Sequence, residues 1–179
     1  KLDCYPNLTN IGAFRGYNET IPPFYGSGYH KSGGYYSKDD VSELIEYGKK
    51  LNIEIMPEID LPAHSWTLLQ IMPELRDPSS NAETKDVGSY SNNTINPSVE
   101  ETSIFLENVF KELSNIFTFD IIHVGVDERP KESWEGSPKI IEFMKKNNLT
   151  SYDEVQDLYM NNIITTLKKH NKRTAAWNE

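Results

Sequence analysis

Asp127 and Glu128 are adjacent carboxylates that follow a short apolar segment, FDIIHVGV, at residues 119–126. Two carboxylates at the end of a buried strand carry a desolvation cost unless water solvates them or the protein uses them. Because like charges oppose each other's ionisation, we expect the two pKa values to be pushed apart, which leaves one group protonated near neutral pH. Such a group can serve as a general acid. A structural role, in which the pair opens a loop or caps the next helix, is equally compatible with these residues alone.

Asp60 and His64 follow a second apolar segment and are separated by a turn that contains Pro62. This spacing allows an aspartate to orient an imidazole, although a histidine near a turn is more often a structural hydrogen-bonding group. Glu58, Asp60, His64 and His123 match no recognised metal-ligand spacing, so we expect no metal site. We also expect no cofactor, because the chain carries no P-loop, dinucleotide-binding fingerprint or nucleophile elbow.

Several aromatic side chains could contact a ligand. Trp177 stands two residues before Glu179 and could present a flat apolar face to a sugar or an acetamido methyl group, with core packing as the competing interpretation. Trp134 follows the carboxylate pair, and we expect it to anchor its loop rather than to line a site. The segment GGYY at residues 33–36 could shape a binding loop, although glycine pairs in loops usually serve backbone conformation only.

Two helices are predicted together with their first turns. Ser37 and Asp40 form a plausible capping box ahead of apolar residues at helical spacing, which predicts a helix at about residues 38–51. Ser98 and Glu101 form a second capping box ahead of the apolar stripe in SVEETSIFLENVFKELSNIF. That stripe predicts a helix of about five turns.

Short apolar segments separated by helices are typical of buried strands. The remaining helical segments lie at about residues 138–147 and 151–170, and residues 77–97 and the first 36 residues favour loops. The three predicted strands are IEIMPEI at residues 53–59, FDIIHVGVDE at 119–128 and RTAAWNE at 173–179.

Strands that follow one another through helices need crossover connections, so these segments predict a parallel α/β fold. Ligand sites in such folds lie at the carboxyl ends of the strands, where Asp60, Glu128 and Glu179 stand. A complete (β/α)8 barrel takes about 250 residues. With 179 residues and long connections, the chain is expected to form only part of a barrel.

The composition narrows the classes of partner. A formal net charge of −9 and the absence of a Lys/Arg cluster argue against nucleic acid or an anionic membrane surface. The single cysteine, Cys4, excludes an internal disulfide framework, and no apolar run reaches the roughly 20 residues of a membrane span. Asn-x-Ser/Thr sequons at Asn7, Asn18, Asn92 and Asn148 are close to chance in so Asn-rich a chain, yet they favour a secreted, periplasmic or lysosome-like location. The sequence gives no indication of an oligomeric state.

The motifs taken together resemble glycoside hydrolase family 20, the β-N-acetylhexosaminidase and chitobiase family. The resemblance covers nearly the whole chain, and its most specific elements are the PEID-x-P-x-H turn and the H-x-G-x-DE strand end. Within the family, the chain most resembles bacterial chitobiase-like enzymes. The resemblance implies that residues 1–179 are a single partial catalytic domain made of the middle βα units of a (β/α)8 barrel. The matching segments, in chain order, are YPNLTNIGAFR, GSGYHKSGGYYSKDDVSELIEYGKKLNIEIMPEIDLPAH, NPS, IIHVGVDERPKESWEGSP and AAWNE.

The resemblance implies hydrolysis of terminal, non-reducing N-acetyl-β-D-hexosamine residues, either GlcNAc or GalNAc, from an oligosaccharide or glycoconjugate. It also implies retention of configuration by substrate assistance, in which the acetamido oxygen of the substrate is the nucleophile. Asp127 would then orient the acetamido group and stabilise its developing positive charge. Glu128 would protonate the leaving oxygen and later activate water.

Other positions carry supporting roles by the same resemblance. Asp60 and His64 would belong to the network that sets the orientation and pKa values of the catalytic pair. Trp177 would form one wall of the acetamido pocket. Glu179 matches an acid that follows this tryptophan in the family, which makes it a candidate for substrate binding.

Two residues depart from the family pattern. Ala63 stands where the family usually has glycine before the histidine, and Val126 stands where glycine is commonest before the carboxylate pair. Both are expected to narrow the site slightly. The preceding strands of the family would lie before Lys1 and the later ones beyond Glu179, so we expect the parent protein to be active and this segment alone to be poorly active or inactive.

Three alternatives remain open on the sequence. A non-catalytic carbohydrate-binding relative would keep the aromatic walls but need not keep both Asp127 and Glu128. A chitinase of the other substrate-assisted family would carry a strand with the pattern D-x-x-D-x-D-x-E, and this chain has no such pattern. A purely structural α/β domain would explain the strands but not the ordered set of motifs.

Overall fold

The computed structural model describes residues 1–23, 28–77 and 93–178. Most of the loop predicted at residues 77–97 therefore lies outside the described residues, and so does Glu179. From residue 38 onward, one or more helices separate each strand from the next. In chain order the elements are α1 (Asn7–Asn10), β1 (Phe14–Arg15), β2 (Ser32–Gly33), α2 (Lys38–Lys50), β3 (Glu58–Leu61), α3 (Trp66–Ile71), a 3-10 turn (Pro73–Leu75), α4 (Glu100–Ile116), β4 (Ile121–Gly125), α5 (Pro138–Asn147), α6 (Tyr152–Lys169) and β5 (Arg173–Ala175).

The central sheet is parallel, with the strand order β3-β4-β5. Leu61 pairs with Gly125 across β3 and β4, and Ile121 pairs with Arg173 across β4 and β5. Helices connect each strand to the next, so the parallel α/β prediction is confirmed. A separate two-stranded antiparallel ribbon pairs β1 with β2 in the first 36 residues, where loops had been predicted.

The core lies between the sheet and helices α4 and α6. Ile122 and Val124 of β4 are fully buried on this side of the sheet. Phe110 of α4 and Ile163 of α6 pack in the same cluster, and fully burying each such side chain contributes about 1.5–3 kcal/mol. His123, between Ile122 and Val124 in β4, lies on the opposite face of the sheet, 3.0 Å from Glu58. The packing fixes the carboxyl end of β4, where Asp127 and Glu128 follow.

The predicted helix starts are correct in one case and wrong in the other. The side chain of Ser37 accepts from the backbone of Asp40 and the Asp40 carboxylate accepts from the backbone of Ser37, which confirms the first capping box. Helix α4 instead begins after Val99, without a side-chain cap. The backbone N–H and the hydroxyl of Ser98 both donate to Oδ1 of Asn96, at 2.9 and 2.6 Å, so its side chain is engaged ahead of the helix.

Strand β3 lies later in the chain than the sequence predicted. The isoleucine-rich pattern indicated a strand at residues 53–59, whereas the structure has it at Glu58–Leu61. Ile53 still belongs to the turn that closes α2, because its N–H donates to the carbonyl of Gly48 at 2.9 Å. Pro57 has no N–H to donate to a sheet, so the ladder starts only after it. Within the described part of the chain, no helix is long and apolar enough to span a bilayer.

Candidate active site

The candidate catalytic residues gather at the carboxyl ends of the three parallel strands. Asp60 lies in β3, and the turn after this strand carries His64. Asp127 and Glu128 follow β4, and Trp177 follows β5. A parallel sheet brings these ends to the same edge, which is where ligand sites of such folds are found.

The imidazole of His64 lies among three carboxylates. Its Nε2 is 3.4 Å from Oε2 of Glu128, 3.6 Å from Oδ2 of Asp127 and 4.0 Å from Oδ2 of Asp60. The last distance is longer than a hydrogen bond, so Asp60 does not orient His64 directly through these atoms, as the spacing had suggested. The imidazole instead faces the two adjacent carboxylates, and a proton on it would be attracted by both.

The carboxyl of Asp60 faces that of Asp127, and the pKa of Asp60 is raised to about 7. Burial is the largest cause, followed by the hydrogen bond to Asp127 and by the negative charge of Asp127, while the nearby His64 acts in the opposite direction. The sequence predicted a proton held between the neighbours Asp127 and Glu128. The carboxyl whose pKa is raised lies instead on the adjacent strand, because Asp60 faces Asp127 in a partly dehydrated position.

The two adjacent carboxylates have different surroundings. The side chain of Asp127 is 18% exposed and that of Glu128 is 40% exposed. Glu128 therefore has access to solvent and to the cleft beside it, whereas Asp127 lies deeper. Within the described chain, buried Oδ1 atoms of Asp60 and Asp127 have no hydrogen-bond partner, which leaves acceptor capacity at the base of the site.

The turn that carries the pair has an unusual backbone. Gly125, Val126 and Glu128 have φ angles of 64°, 78° and 49°, and His64 across the site has a φ of 52°. This left-handed region suits glycine and disfavours a β-branched residue such as valine. The family preference for glycine before the carboxylate pair thus corresponds to a backbone requirement at Val126. Ala63, the other departure, is completely buried, so its methyl group lies in the interior.

Trp177 is 56% exposed, so the core formed by the described residues does not enclose it. Its Nε1 donates to Oε1 of Glu58 at 3.0 Å, and its ring lies edge-on to His123 with centroids 4.8 Å apart. Oε1 of Glu58 also lies 3.0 Å from Nδ1 of His123. The three side chains thus link the first residue of β3, the middle of β4 and the segment after β5, an arrangement that the sequence did not predict.

The possible metal ligands divide into two groups. Of the four residues considered from the sequence, Glu58 and His123 pair with each other beside Trp177. The other two, Asp60 and His64, come together with Asp127, and one ligand atom from each lies within 4.8 Å of the others. One imidazole nitrogen and two carboxylate oxygens have the composition of a cation site, and the two carboxylates are the Asp60 and Asp127 pair described above.

Trp134 anchors the loop after the carboxylate pair, as predicted. It is fully buried, its Nε1 donates to the carbonyl of Ile95 at 3.0 Å, and the guanidinium of Arg129 lies 4.6 Å from its ring centroid. The glycine pair of the first ribbon also serves the backbone: Gly33 has a φ of 132°, and a Cβ there would lie 2.0 Å from the carbonyl oxygen of Ala13. Nothing described for residues 33–36 connects them to the carboxylates.

A cleft of about 500 Å³ opens beside the pair. Glu128 and Trp177 lie on its wall, together with Val126, Arg129 and Gln156. Its wall also carries Lys131, Asp153 and Asp157, so acidic, basic and amide groups surround the exposed indole. Such a lining suits a polar ligand with an apolar face, such as a sugar.

Comparison with known proteins agrees with this geometry. All of residues 1–179 match the profile described as "Glycosyl hydrolase family 20, catalytic domain". The chain is 34% identical to a β-hexosaminidase of Vibrio furnissii over 180 residues, which cover 100% of this chain and 30% of the relative. It is 30% identical to the β subunit of human β-hexosaminidase over 161 residues, which cover 89% of this chain and 28% of that subunit.

Solved structures have the same fold. The family 20 exo-β-N-acetylglucosaminidase from Vibrio harveyi, determined in complex with N-acetylglucosamine, matches 99% of this chain and 28% of its own length, with a TM-score of 0.96 and 31% identity. A β-N-acetylhexosaminidase from Bacteroides fragilis matches 99% of this chain and 32% of its own, with a TM-score of 0.78 and 28% identity. The chain thus spans about 30% of the length of these relatives and forms part of a parallel (β/α)8 barrel. By sequence and by fold, it belongs to glycoside hydrolase family 20.

Proposed function

We propose that residues 1–179 are the middle βα units of the catalytic domain of a β-N-acetylhexosaminidase. The whole protein would release terminal, non-reducing N-acetyl-β-D-hexosamine residues by retaining, substrate-assisted hydrolysis. The observation that carries the proposal is the grouping of His64 with Asp127 and Glu128, at 3.6 and 3.4 Å, at the carboxyl ends of the strands of a family 20 chain. The names of the relatives, which are β-hexosaminidases and an exo-β-N-acetylglucosaminidase, support the same reaction.

Glu128 is proposed as the general acid and base. It has the more exposed side chain of the pair and borders the cleft, so it can reach a glycosidic oxygen. In the first step it would donate a proton to the leaving oxygen while the acetamido oxygen of the substrate bonds to the anomeric carbon. In the second step it would take a proton from water as that water opens the cyclic intermediate.

Asp127 is proposed to hold the acetamido group in position for that attack. Its less exposed carboxylate would accept a hydrogen bond from the acetamido N–H and would stabilise the positive charge that develops on the nitrogen. A preorganised carboxylate in a partly dehydrated site interacts with such a charge more strongly than water does.

Asp60 and His64 are proposed to support the pair. With its pKa raised to about 7, Asp60 can hold a proton beside Asp127 near neutral pH. His64 lies 3.4 Å from Oε2 of Glu128 and 3.6 Å from Oδ2 of Asp127, so its imidazole can help to hold both carboxylates in place. Trp177 and Glu179 are proposed to bind substrate, the tryptophan as a wall against the acetamido methyl group.

The substrate is proposed to be an oligosaccharide or glycoconjugate that ends in N-acetylhexosamine. The exposed indole of Trp177 offers an apolar face to a sugar, and the net charge of −9 fits a neutral ligand better than an anionic one. A non-catalytic carbohydrate-binding relative is the second candidate, since the same indole would serve binding without hydrolysis.

The test is release of p-nitrophenol from its N-acetyl-β-D-glucosaminide and N-acetyl-β-D-galactosaminide by the full-length protein. Glu128→Gln should lower kcat by about 10²- to 10⁴-fold, the usual contribution of general acid–base catalysis. Glu135→Gln, in the exposed loop that follows, is the matched control and should keep wild-type activity. Residues 1–179 expressed alone should be poorly active or inactive. A full-length protein that binds N-acetylhexosamine but hydrolyses neither substrate would favour the carbohydrate-binding relative.

A further inference from the structure

Gln156 of α6 contacts the catalytic turn at both of its ends. Its Nε2 donates to the carbonyl oxygen of Val126 at 3.1 Å, just before Asp127. Its Oε1 accepts a hydrogen bond from Nε of Arg129, just after Glu128. One side chain therefore spans the two positions that flank the carboxylate pair.

The turn needs such support because its backbone is strained. Val126 and Glu128 are non-glycine residues with φ angles of 78° and 49°. Residues in sparsely populated backbone regions cost about 1–3 kcal/mol each and persist only where the surrounding structure holds them. Released from its contacts, this turn would relax toward negative φ and would move the carboxylate of Glu128 relative to Asp127.

Arg129 gives Gln156 a fixed partner. The guanidinium is nearly buried, with 4% of the side chain exposed, and its Nη2 donates to Asp153 of α6 at 2.7 Å. The same group lies 4.6 Å from the ring centroid of Trp134, which anchors the loop after the turn. Because the arginine is held from several sides, its bond to Gln156 is held as well, and the amide is aimed at Val126.

We propose that Gln156 is a positioning residue for the reaction, acting through the backbone of Val126 and the side chain of Arg129. It fixes the strained turn and thereby the separation between the carboxylates of Asp127 and Glu128. This inference rests on the proposed function. Positioning of this kind affects the chemical step more than substrate binding, and misplacement by about 1 Å can cost about 10²-fold in rate.

The test is steady-state kinetics of the full-length protein with Gln156→Met on the p-nitrophenyl substrates. Methionine has a similar length but neither the N–H donor nor the amide oxygen. We expect kcat to fall by about 10- to 100-fold while KM changes by less than about 3-fold. The matched control is Gln70→Met. Gln70 is exposed on α3 and bonds the carbonyl of Trp66 in its own helix at 3.4 Å, so kcat should stay at the wild-type value.

A second substitution distinguishes positioning from general stability. Glycine adopts the left-handed region without strain, so Val126→Gly should keep the turn in place without the amide of Gln156. The double variant Val126→Gly with Gln156→Met should therefore have a kcat within about 3-fold of Val126→Gly alone, a coupling that a double-mutant cycle measures. A residue that only stabilised the fold would lower the unfolding temperature and leave the kcat of the folded protein unchanged, in either background.

The outcomes separate the two proposals. A wild-type protein inert on both substrates contradicts the proposed function. If the wild type is active and Gln156→Met has the same kcat, the positioning role is overturned. It is also overturned if Gln156→Met lowers kcat in the Val126→Gly background as much as it does in the wild type. If Gln156→Met does not fold, Gln156→Glu takes its place. Glutamate keeps the acceptor for Arg129 and loses the donor to Val126. A wild-type kcat in that variant also overturns the inference.

Discussion

A Cβ atom on Gly125 would lie 2.0 Å from Oδ1 of Asp60. The carboxylate of Asp60 thus occupies the space that any other residue at position 125 would need for its side chain. Gly125 pairs with Leu61 in the sheet, so the contact lies where β3 and β4 end together. The missing side chain lets Asp60 approach Asp127, with ligand atoms of the two carboxylates within 4.8 Å of each other, and this proximity helps to raise the pKa of Asp60.

Gly125→Ala should therefore disrupt the site and the local fold together. Alanine at a φ of 64° is strained, and its methyl group would displace Asp60, for a combined cost of about 3 kcal/mol. We expect a lower unfolding temperature and at least about a 10-fold loss of hydrolysis in the full-length protein. The control is Gly34→Ala, where an added Cβ meets no atom within 4 Å. If Gly125→Ala had the same unfolding temperature and the same rate of hydrolysis as Gly34→Ala, the inference that Asp60 packs closely on Gly125 would be wrong.

The raised pKa of Asp60 predicts a pH dependence of stability. A carboxyl whose pKa rises from 3.8 to about 7 on folding favours the folded state most at low pH. That contribution is fully present below the unfolded pKa and is lost as the pH rises through about 7. Asp60→Asn removes the titrating group, so the variant should gain thermal stability relative to the wild type between pH about 4 and about 7.

Thermal unfolding of the full-length protein across this pH range makes the comparison. Asp157→Asn removes one exposed negative charge from α6 and serves as the control. It should shift the unfolding temperature by a similar amount at every pH. If the unfolding temperatures of the wild type and of Asp60→Asn changed in parallel with pH, Asp60 would not hold its proton into the neutral range.

Local patterns in the sequence were sufficient for the four long helices, α2, α4, α5 and α6, but did not predict the short helices α1 and α3. The stripe of α4 and the segments of α5 and α6 appear within one or two residues of their predicted bounds, because an amphipathic helix depends on its own residues and on one buried face. Strand β3 was displaced because an isoleucine-rich run indicates burial without indicating which residues pair with the neighbouring strand. The residues that pair are determined by Pro57, which cannot donate a backbone hydrogen bond, and by the register of β3 against β4.

The sequence predicted which residues belong to the site better than it predicted the contacts between them. Adjacent carboxylates after an apolar strand indicated Asp127 and Glu128, and the parallel order of strands indicated that Asp60 and His64 lie near them. The pairing of Asp60 with Asp127 could not be predicted, because it depends on the register of two strands and on the space left by Gly125. The bond from Gln156 to Val126 joins positions 30 residues apart, and no local signal indicates it.

Trp134 should contribute to stability through its indole N–H. Trp134→Phe keeps an aromatic ring for Arg129 but leaves the carbonyl of Ile95 without its donor in a buried position. An unsatisfied buried acceptor costs about 1–3 kcal/mol, so the unfolding temperature of the full-length protein should fall. An unchanged unfolding temperature would mean that this bond adds nothing to the anchoring of the loop.

Glu58 should act on substrate binding through Trp177. Its carboxylate accepts the indole N–H at 3.0 Å and thereby fixes the orientation of an exposed ring. A hydrogen bond to a charged group contributes about 1.5–3 kcal/mol, and each 1.4 kcal/mol corresponds to about tenfold in affinity. Since part of that contribution is lost to solvent at an exposed site, Glu58→Leu should raise KM for the p-nitrophenyl substrates by about 3- to 10-fold. Glu58→Gln keeps an acceptor and should stay near the wild-type KM.

The double variant decides whether Glu58 acts through the tryptophan. Trp177→Leu removes the ring and should raise KM by itself, and adding Glu58→Leu should then change KM little further, because the group that Glu58 orients is already absent. The measurement is the same steady-state assay of the full-length protein. Independent effects of the two substitutions, multiplied in the double variant, would instead indicate that Glu58 contacts the substrate directly or acts through His123, 3.0 Å from its carboxylate.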